Sequence, residues 1–248
     1  MGAGPGTPSS AGSFDEDDVS PDGSAGSAVT ARRPESYTWP LVAVVVTILP
    51  QVLVPNNHRI GPPILVPMIE AAAFLAMLVI AARPGPVPRG ARPLVLFLFS
   101  LLVLSNTTAT IRLVFLVLDG GKVDGAVLTP SRLLVAGGLV LTTNIITFAL
   151  LYWQLDSGGP AGRAGDPVPY PDFEFPQTAA AGLSAPGWQP RFHDYLYLAF
   201  TSALTFSPAD TLPLVGRAKG LMALQSVISL SVLVVVLARV INILPVPT

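Results

Sequence analysis

Residues 94–118 read LVLFLFSLLVLSNTTATIRLVFLVL, a run in which Arg112 is the single ionisable side chain. A helix needs about 20 mostly apolar residues to cross roughly 30 Å of hydrocarbon, and this stretch is longer than that. Its apolar residues are continuous, without the alternation of a lipid-facing barrel strand, so in lipid the backbone can satisfy itself only as a helix. Runs of the same character lie on either side. Towards the N-terminus they cover about 62–82 and, shorter and punctuated by Pro40 and Pro50, 37–54. Towards the C-terminus they cover about 131–154, 192–206 and 214–244. The sequence therefore predicts an all-α membrane protein with five or six transmembrane helices. The count turns on 192–206, whose length is marginal for a span.

Composition bounds the alternatives. Of 248 residues, 51% are hydrophobic and 12% charged, and the apolar ones are gathered into blocks instead of being spread as a soluble core requires. A net charge of -1 supplies no basic field, so no nucleic-acid partner is expected. The absence of cysteine excludes disulfides, thiolate nucleophiles and Cys-ligated metal. The start at Met1 lacks a positive region followed at once by an apolar one, so the first span is expected to act as its own signal. Lys122 and Lys219 are the only lysines, and Ala, Gly and Pro abound. That usage fits a GC-rich bacterial genome, which makes the bacterial inner (plasma) membrane the expected location.

Four regions follow. Residues 1–36 are Gly, Ser, Pro and Ala around an acidic run, Asp15-Glu16-Asp17-Asp18, and cannot bury enough apolar surface to offset the entropy of ordering, so they read as a disordered tail. Residues 37–154 form a four-helix transmembrane region, with Tyr37 and Trp39 at one edge and Tyr152-Trp153-Gln154 closing the fourth span. Residues 155–190 read as a hydrophilic loop rich in Gly and Pro, and 191–248 as a helical pair broken at Ser207-Pro208-Ala209-Asp210-Thr211-Leu212-Pro213. For orientation, six crossings with the N-terminus inside would place Arg32, Arg33, Arg83, Arg89, Arg92, Arg163 and Arg191 in the cytoplasm, against Arg59, Lys122, Arg132, Arg217 and Lys219 outside. Five crossings with the chain inverted would put the three-arginine loop outside.

Ionisable groups at bilayer depth are costly and mark either function or a buried pair. Glu70 and Arg112 are the two cases. At about 1.5 Å per residue they fall at similar depths from ends that face the same side, and so form a candidate intramembrane ion pair, structural or part of a proton or ion relay. Asn106, Thr142, Asn144 and Gln225 form a candidate polar layer, whose plain explanation is hydrogen bonding between helices. Gly137-Gly138 would allow close helix approach.

The segment from Phe192 through Asp194, Leu196, Tyr197, Phe200, Thr205, Asp210 and Pro213 to Arg217 and Gln225 resembles, without a gap, the pore module of two-transmembrane potassium channels, in which a pore helix and filter precede an inner helix. The filter of such channels, T-V-G-Y-G, stacks backbone carbonyls that replace the ion's hydration shell. Here the filter-equivalent loop is Thr205, Phe206, Ser207, Pro208 and Ala209, followed by Asp210, so both glycines are gone and Pro208 fixes φ. The filter is degenerate. With Tyr152-Trp153-Gln154-Leu155-Asp156-Ser157-Gly158-Gly159-Pro160, the chain is also similar to an uncharacterised family of bacterial multi-pass membrane proteins with a Y-W-x-L-D-x-G-G-P stretch and the same pore-like end. The resemblance implies that 192–206 is a re-entrant half helix before the last helix. A loop dipping from outside would need 156–190 outside, against the arginine count.

Among enzyme signatures, His58 and His193 are the only histidines and have no neighbours at metal-ligand spacing, no phosphate-binding glycine loop occurs, and His193 beside Asp194 lacks a nucleophile elbow. No enzyme activity, cofactor or metal is expected. Two functions remain open: an ion-channel-like or transport-associated protein passing monovalent ions, homo-oligomeric if the pore likeness is genuine, or a non-conducting structural or partner-binding protein on the same scaffold. The bilayer is the one partner that both share.

Overall fold

The computed structural model describes residues 2, 35–53, 65–83, 91–120, 122, 123, 126, 127, 129–164, 170–205 and 210–243. Apart from Gly2, Glu35 and Ser36, the tail expected over 1–36 lies outside the described residues, as do Arg59 and Arg89. Helices dominate: α1 (Thr38–Leu53), α2 (Leu65–Ala82), α3 (Ala91–Leu118), α4 (Pro130–Leu155), the short α5 (Gly159–Arg163) and α6 (Pro176–Ala179), α7 (Phe192–Thr205) and α8 (Gly216–Ile243). Two-residue strands form two small antiparallel pairs, β1 (Lys122–Val123) with β2 (Ala126–Val127), and β3 (Phe173–Glu174) with β4 (Leu212–Pro213).

Among the described residues three helices are long and apolar enough to cross a membrane, Ala91–Leu118, Pro130–Arg163 and Gly216–Asn242, while Thr38–Ile48 and Pro67–Ala82 are shorter apolar helices. The long ones expose large apolar side chains, among them Leu94, Phe97, Leu104 and Phe115 on α3 and Val227, Val234 and Ile241 on α8. A helix that is apolar all round and still exposed is not a surface helix of a water-soluble domain.

α4 is the hub. Thr129 caps it by accepting the Arg132 N–H at 3.4 Å, Pro130 opens it, and residues 146–154 are buried without interruption. One core gathers Phe99, Phe148, Tyr152, Trp153, Phe173, Tyr195 and Met222 around its C-terminal end; a second joins Leu113, Val117, Leu133, Val232 and Val236 at the other. Gly137 lets α8 approach there, since a Cβ on it would meet Val236 at 3.0 Å, whereas Gly138 faces open space.

The direction of α7 is the finding that organises the rest. Tyr195, in its first turn, bonds Asp156 at the end of α4, and Arg217, in the first turn of α8, bonds Asp172 beside β3. Farther along, Gln225 reaches the Ala199 carbonyl and Ser226 the Ser202 carbonyl. α7 and α8 therefore start at the same end of the bundle and run parallel. At about 1.5 Å per residue the 14 residues of α7 advance about 21 Å, yet Leu212 is already back at the starting end, paired with Glu174. Arg92 of α3, Glu35 and Tyr37 meet the same end through Leu155 and Trp153, whereas Arg239 at the far end of α8 bonds Gly120 after α3.

Of the stretch expected as a hydrophilic loop, 155–190, the described residues 155–164 and 170–190 are folded against that end. Its aromatics explain why: Phe173 packs edge-on against Tyr152 at 5.2 Å, and Phe175 against Tyr195 at 5.3 Å and Trp188 at 5.9 Å. These few apolar side chains, spaced among Gly and Pro, form no periodic run and so give no helix or strand signal.

Candidate functional site

Two polar clusters lie inside the apolar bundle. The deeper one joins four helices. Asn106 Nδ2 donates to Asn144 Oδ1 at 2.9 Å, and Asn144 Nδ2 donates to Ser229 Oγ at 2.8 Å and the Gln225 carbonyl at 3.4 Å. The Tyr152 hydroxyl donates to Gln225 Oε1 at 2.8 Å, and Gln225 Nε2 donates to the Ala199 carbonyl at 2.8 Å. Asn144, Gln225 and Ser229 are wholly buried. Amides suit such a place because each carries both donors and an acceptor and can chain one helix to the next.

The second cluster closes the common end. At Asp156 the chain leaves α4 through Ser157 (φ 53°), Gly158 (φ 82°) and Gly159 (φ 77°), left-handed conformations that reverse its course. A Cβ on Gly159 would meet the Gln154 carbonyl oxygen at 2.9 Å, and one on Gly162 the Ser157 carbonyl oxygen at 2.3 Å, so both positions require glycine. The reversal turns the Asp156 carboxylate inward. Its Oδ1 accepts the N–H of Asp172 at 2.8 Å and of Phe173 at 3.3 Å, and its Oδ2 accepts the Tyr195 hydroxyl at 2.6 Å. The reversal also brings Arg163 back under α4, where Nη1 donates to the carbonyls of Trp153 at 2.9 Å and Asp156 at 3.0 Å, and Nη2 to Glu35 at 2.8 Å. Asp172, buried, is paired with the largely exposed Arg217. Burial pushes the Tyr37 phenol above its usual range; the Glu35 carboxylate adds to this and Arg163 opposes it.

An apolar groove of about 470 Å³ runs between α4 and α7, lined by Thr142, Ile145, Ile146, His193, Leu196, Tyr197 and Phe200. No group of three or more acidic, His or Cys side chains able to hold a metal ion occurs among the described residues.

The structure thus brings Asn106, Asn144 and Gln225 together and leaves Thr142 on the groove wall. Glu70 is buried on α2 and Arg112 is exposed on α3, and the ion pairs that the described residues form include Glu35–Arg163, Asp172–Arg217 and His193–Asp194. Of the filter-equivalent loop, Thr205 ends α7 with its hydroxyl on the Thr201 carbonyl at 2.6 Å and Asp210 is exposed; Phe206, Ser207, Pro208 and Ala209 lie outside the described residues. Asp156, Arg163, Glu35 and Asp172 were not singled out as a site from the sequence. The available signal was Asp156-Ser157-Gly158-Gly159, an acid placed at a helix end against a glycine reversal. No family model, no curated protein and no solved structure matches the chain.

Proposed function

We propose that the chain is a multi-pass protein of the bacterial inner membrane with five full crossings, α1 to α4 and α8, and a re-entrant α7, and that it serves an ion-channel-like or transport-associated role as a homo-oligomer. The observation that carries this is the parallel start of α7 and α8, fixed by Tyr195 on Asp156 and Arg217 on Asp172. A helix of about 21 Å that does not reach the opposite side of roughly 30 Å of hydrocarbon, followed by a return to its own side, is the topology of a pore loop. It also supports one orientation. Arg83, Arg92, Arg163, Arg191, Arg217 and Lys219 lie at the common end and Lys122, Arg132 and Arg239 at the other, so the positive-inside rule puts the common end in the cytoplasm. Re-entry from the cytoplasmic side removes the clash between a pore-like segment and the arginine count.

A conduction path would lie between copies, because the polar core of one chain is closed by its own hydrogen bonds. That same closure favours the second reading, a non-conducting scaffold, in which the buried amides hold helices together. Flux through liposomes carrying the purified protein separates the two: voltage- or gradient-driven Na⁺, K⁺, H⁺ or Cl⁻ movement is expected, and none under varied pH and voltage leaves the scaffold reading. For topology, single cysteines in this Cys-free chain at Leu183 and Leu212 should label from the same side of the membrane and one at Gly125 from the other. Labelling of Leu183→Cys and Leu212→Cys from opposite sides would make α7 a full crossing.

A further inference from the structure

Three donors from α4, α5 and α7 converge on one carboxylate that none of these helices supplies. Glu35 Oε1 accepts the Trp153 indole N–H at 2.6 Å and the Phe192 backbone N–H at 3.0 Å, and Oε2 accepts Arg163 Nη2 at 2.8 Å. The donors keep their places through contacts that do not involve Glu35. Arg163 is held by the Trp153 and Asp156 carbonyls and lies over the Tyr195 ring at 5.1 Å. The Trp153 ring packs edge-on against Phe192 at 6.1 Å. The Phe192 N–H opens α7, where a helix has amide donors it cannot pair internally and where its dipole favours an anion.

Among the described residues, the other carboxylates of this junction are already engaged. That of Asp156 is committed to Tyr195, Asp172 and Phe173, and that of Asp172 to Arg217. With its side chain only 5% exposed, Arg163 needs an anion in this pocket, since a buried charge without a counter-charge is strongly disfavoured. Glu35 belongs to no helix or strand and lies three residues before the start of α1. The occupant of the pocket is tethered through the chain that leads into α1.

We infer that Arg163, the Trp153 indole and the Phe192 N–H form an oxyanion-binding site for a carboxylate or phosphate, with Glu35 as its intramolecular ligand. An external oxyanion of the same chemistry, a free carboxylate or phosphate or the phosphate of a lipid headgroup, competes with Glu35. Its binding releases the segment before α1 from the junction of α4 and α7.

The test is rescue of the full-length, detergent-purified Glu35→Ala protein, followed by thermal melting. The variant should melt below the parent, and acetate or formate should raise its Tm saturably, well beyond sodium chloride of equal ionic strength, while the parent, whose Glu35 competes for the site, should need a far higher acetate concentration for any such excess. Adding Trp153→Phe should raise the half-saturating acetate concentration about tenfold, as loss of one charge-assisted hydrogen bond implies. Inorganic phosphate in detergent against phosphatidylglycerol or phosphatidylcholine nanodiscs tells the sources apart: rescue by free phosphate marks a soluble anion, and rescue by lipid alone marks a headgroup. If Glu35→Ala survives purification only with acetate, that dependence supports the site, and acetate-independent loss overturns it. Equal action of acetate and chloride, or a variant that melts like the parent, also overturns it.

Discussion

The Tyr152 hydroxyl donates to Gln225 Oε1 at 2.8 Å across the interface of α4 and α8, and both side chains are wholly buried. Because Gln225 also donates to Ala199 of α7, this one amide joins three helices. Tyr152→Phe should cost about 1 kcal/mol by leaving Oε1 without its donor, and Gln225→Leu about 2 kcal/mol by stranding the Tyr152 hydroxyl and removing the bond that ties α8 to the Ala199 carbonyl. The double variant should be less destabilised than the sum. Unfolding in mixed micelles followed by circular dichroism checks this; strict additivity would mean that the two groups do not act together.

Asn144 should matter more than Asn106. Asn144 touches α3 through Asn106 and α8 through Ser229 and the Gln225 carbonyl, whereas Asn106 is bound by one hydrogen bond to Asn144. Interhelical bonds of this kind are worth about 0.6 kcal/mol each, so Asn144→Leu is expected to lose about 1–2 kcal/mol and Asn106→Leu under about 1. The same micelle unfolding ranks them, and the reverse order would displace Asn144 from the centre of the layer.

Replacing Asp156 should be the most damaging of these changes. Its carboxylate serves two backbone N–H groups and the Tyr195 hydroxyl, and Asp156→Ala orphans all three in a buried place. At about 1–3 kcal/mol per stranded group the loss approaches the whole stability of many proteins, and little folded protein should be recovered. Tyr195→Phe removes one of those bonds and should cost about 1 kcal/mol. Elution as a single sharp peak by fluorescence-detected size exclusion distinguishes them; a well-behaved Asp156→Ala protein would show that the junction is held by its aromatics alone.

These positions also mark what was legible beforehand. The six longer helices were, to within about three residues at each end, because continuous apolar runs bounded by Gly, Pro and charge leave little choice, whereas the short α5 and α6 fell inside the expected loop. Asn106, Asn144 and Gln225 stood out because an amide in an apolar run is conspicuous. Counting along a helix gives depth but not facing: Thr142 and Asn144 differ by two residues, about 200° of rotation, and only one points inward. Arg112, expected beside Glu70 from depth alone, lies on the exposed side of α3. Glu35 and Arg163 are separated by 128 residues and lie in polar stretches, where one more charge has no contrast. The sense of α7 was hidden for a different reason. Length alone cannot separate a short crossing from a half helix, and what fixes it, β3 on β4 and Asp172 on Arg217, joins residues some forty apart.

Adjacent glycines on α4 offer the sharpest contrast. Gly137 and Gly138 look equivalent as a small-residue pair, but a Cβ on Gly137 would meet Val236 at 3.0 and 3.1 Å, while nothing lies within 4 Å of one on Gly138. Val236 is β-branched and stiff about χ1, so it cannot swing away without shifting α8. Gly137→Ala should therefore destabilise by about 1–3 kcal/mol through overpacking, despite the better helix propensity of alanine. Gly138→Ala should be neutral or stabilise by up to about 1 kcal/mol. Val236→Ala alone should open a small void and lose about 1–2 kcal/mol, yet combined with Gly137→Ala it should recover most of that variant's loss, since each change supplies the volume that the other lacks. Melting curves of the four proteins decide it: equal effects of the two glycine substitutions, or no compensation in the double variant, would mean that α4 and α8 do not meet at Gly137.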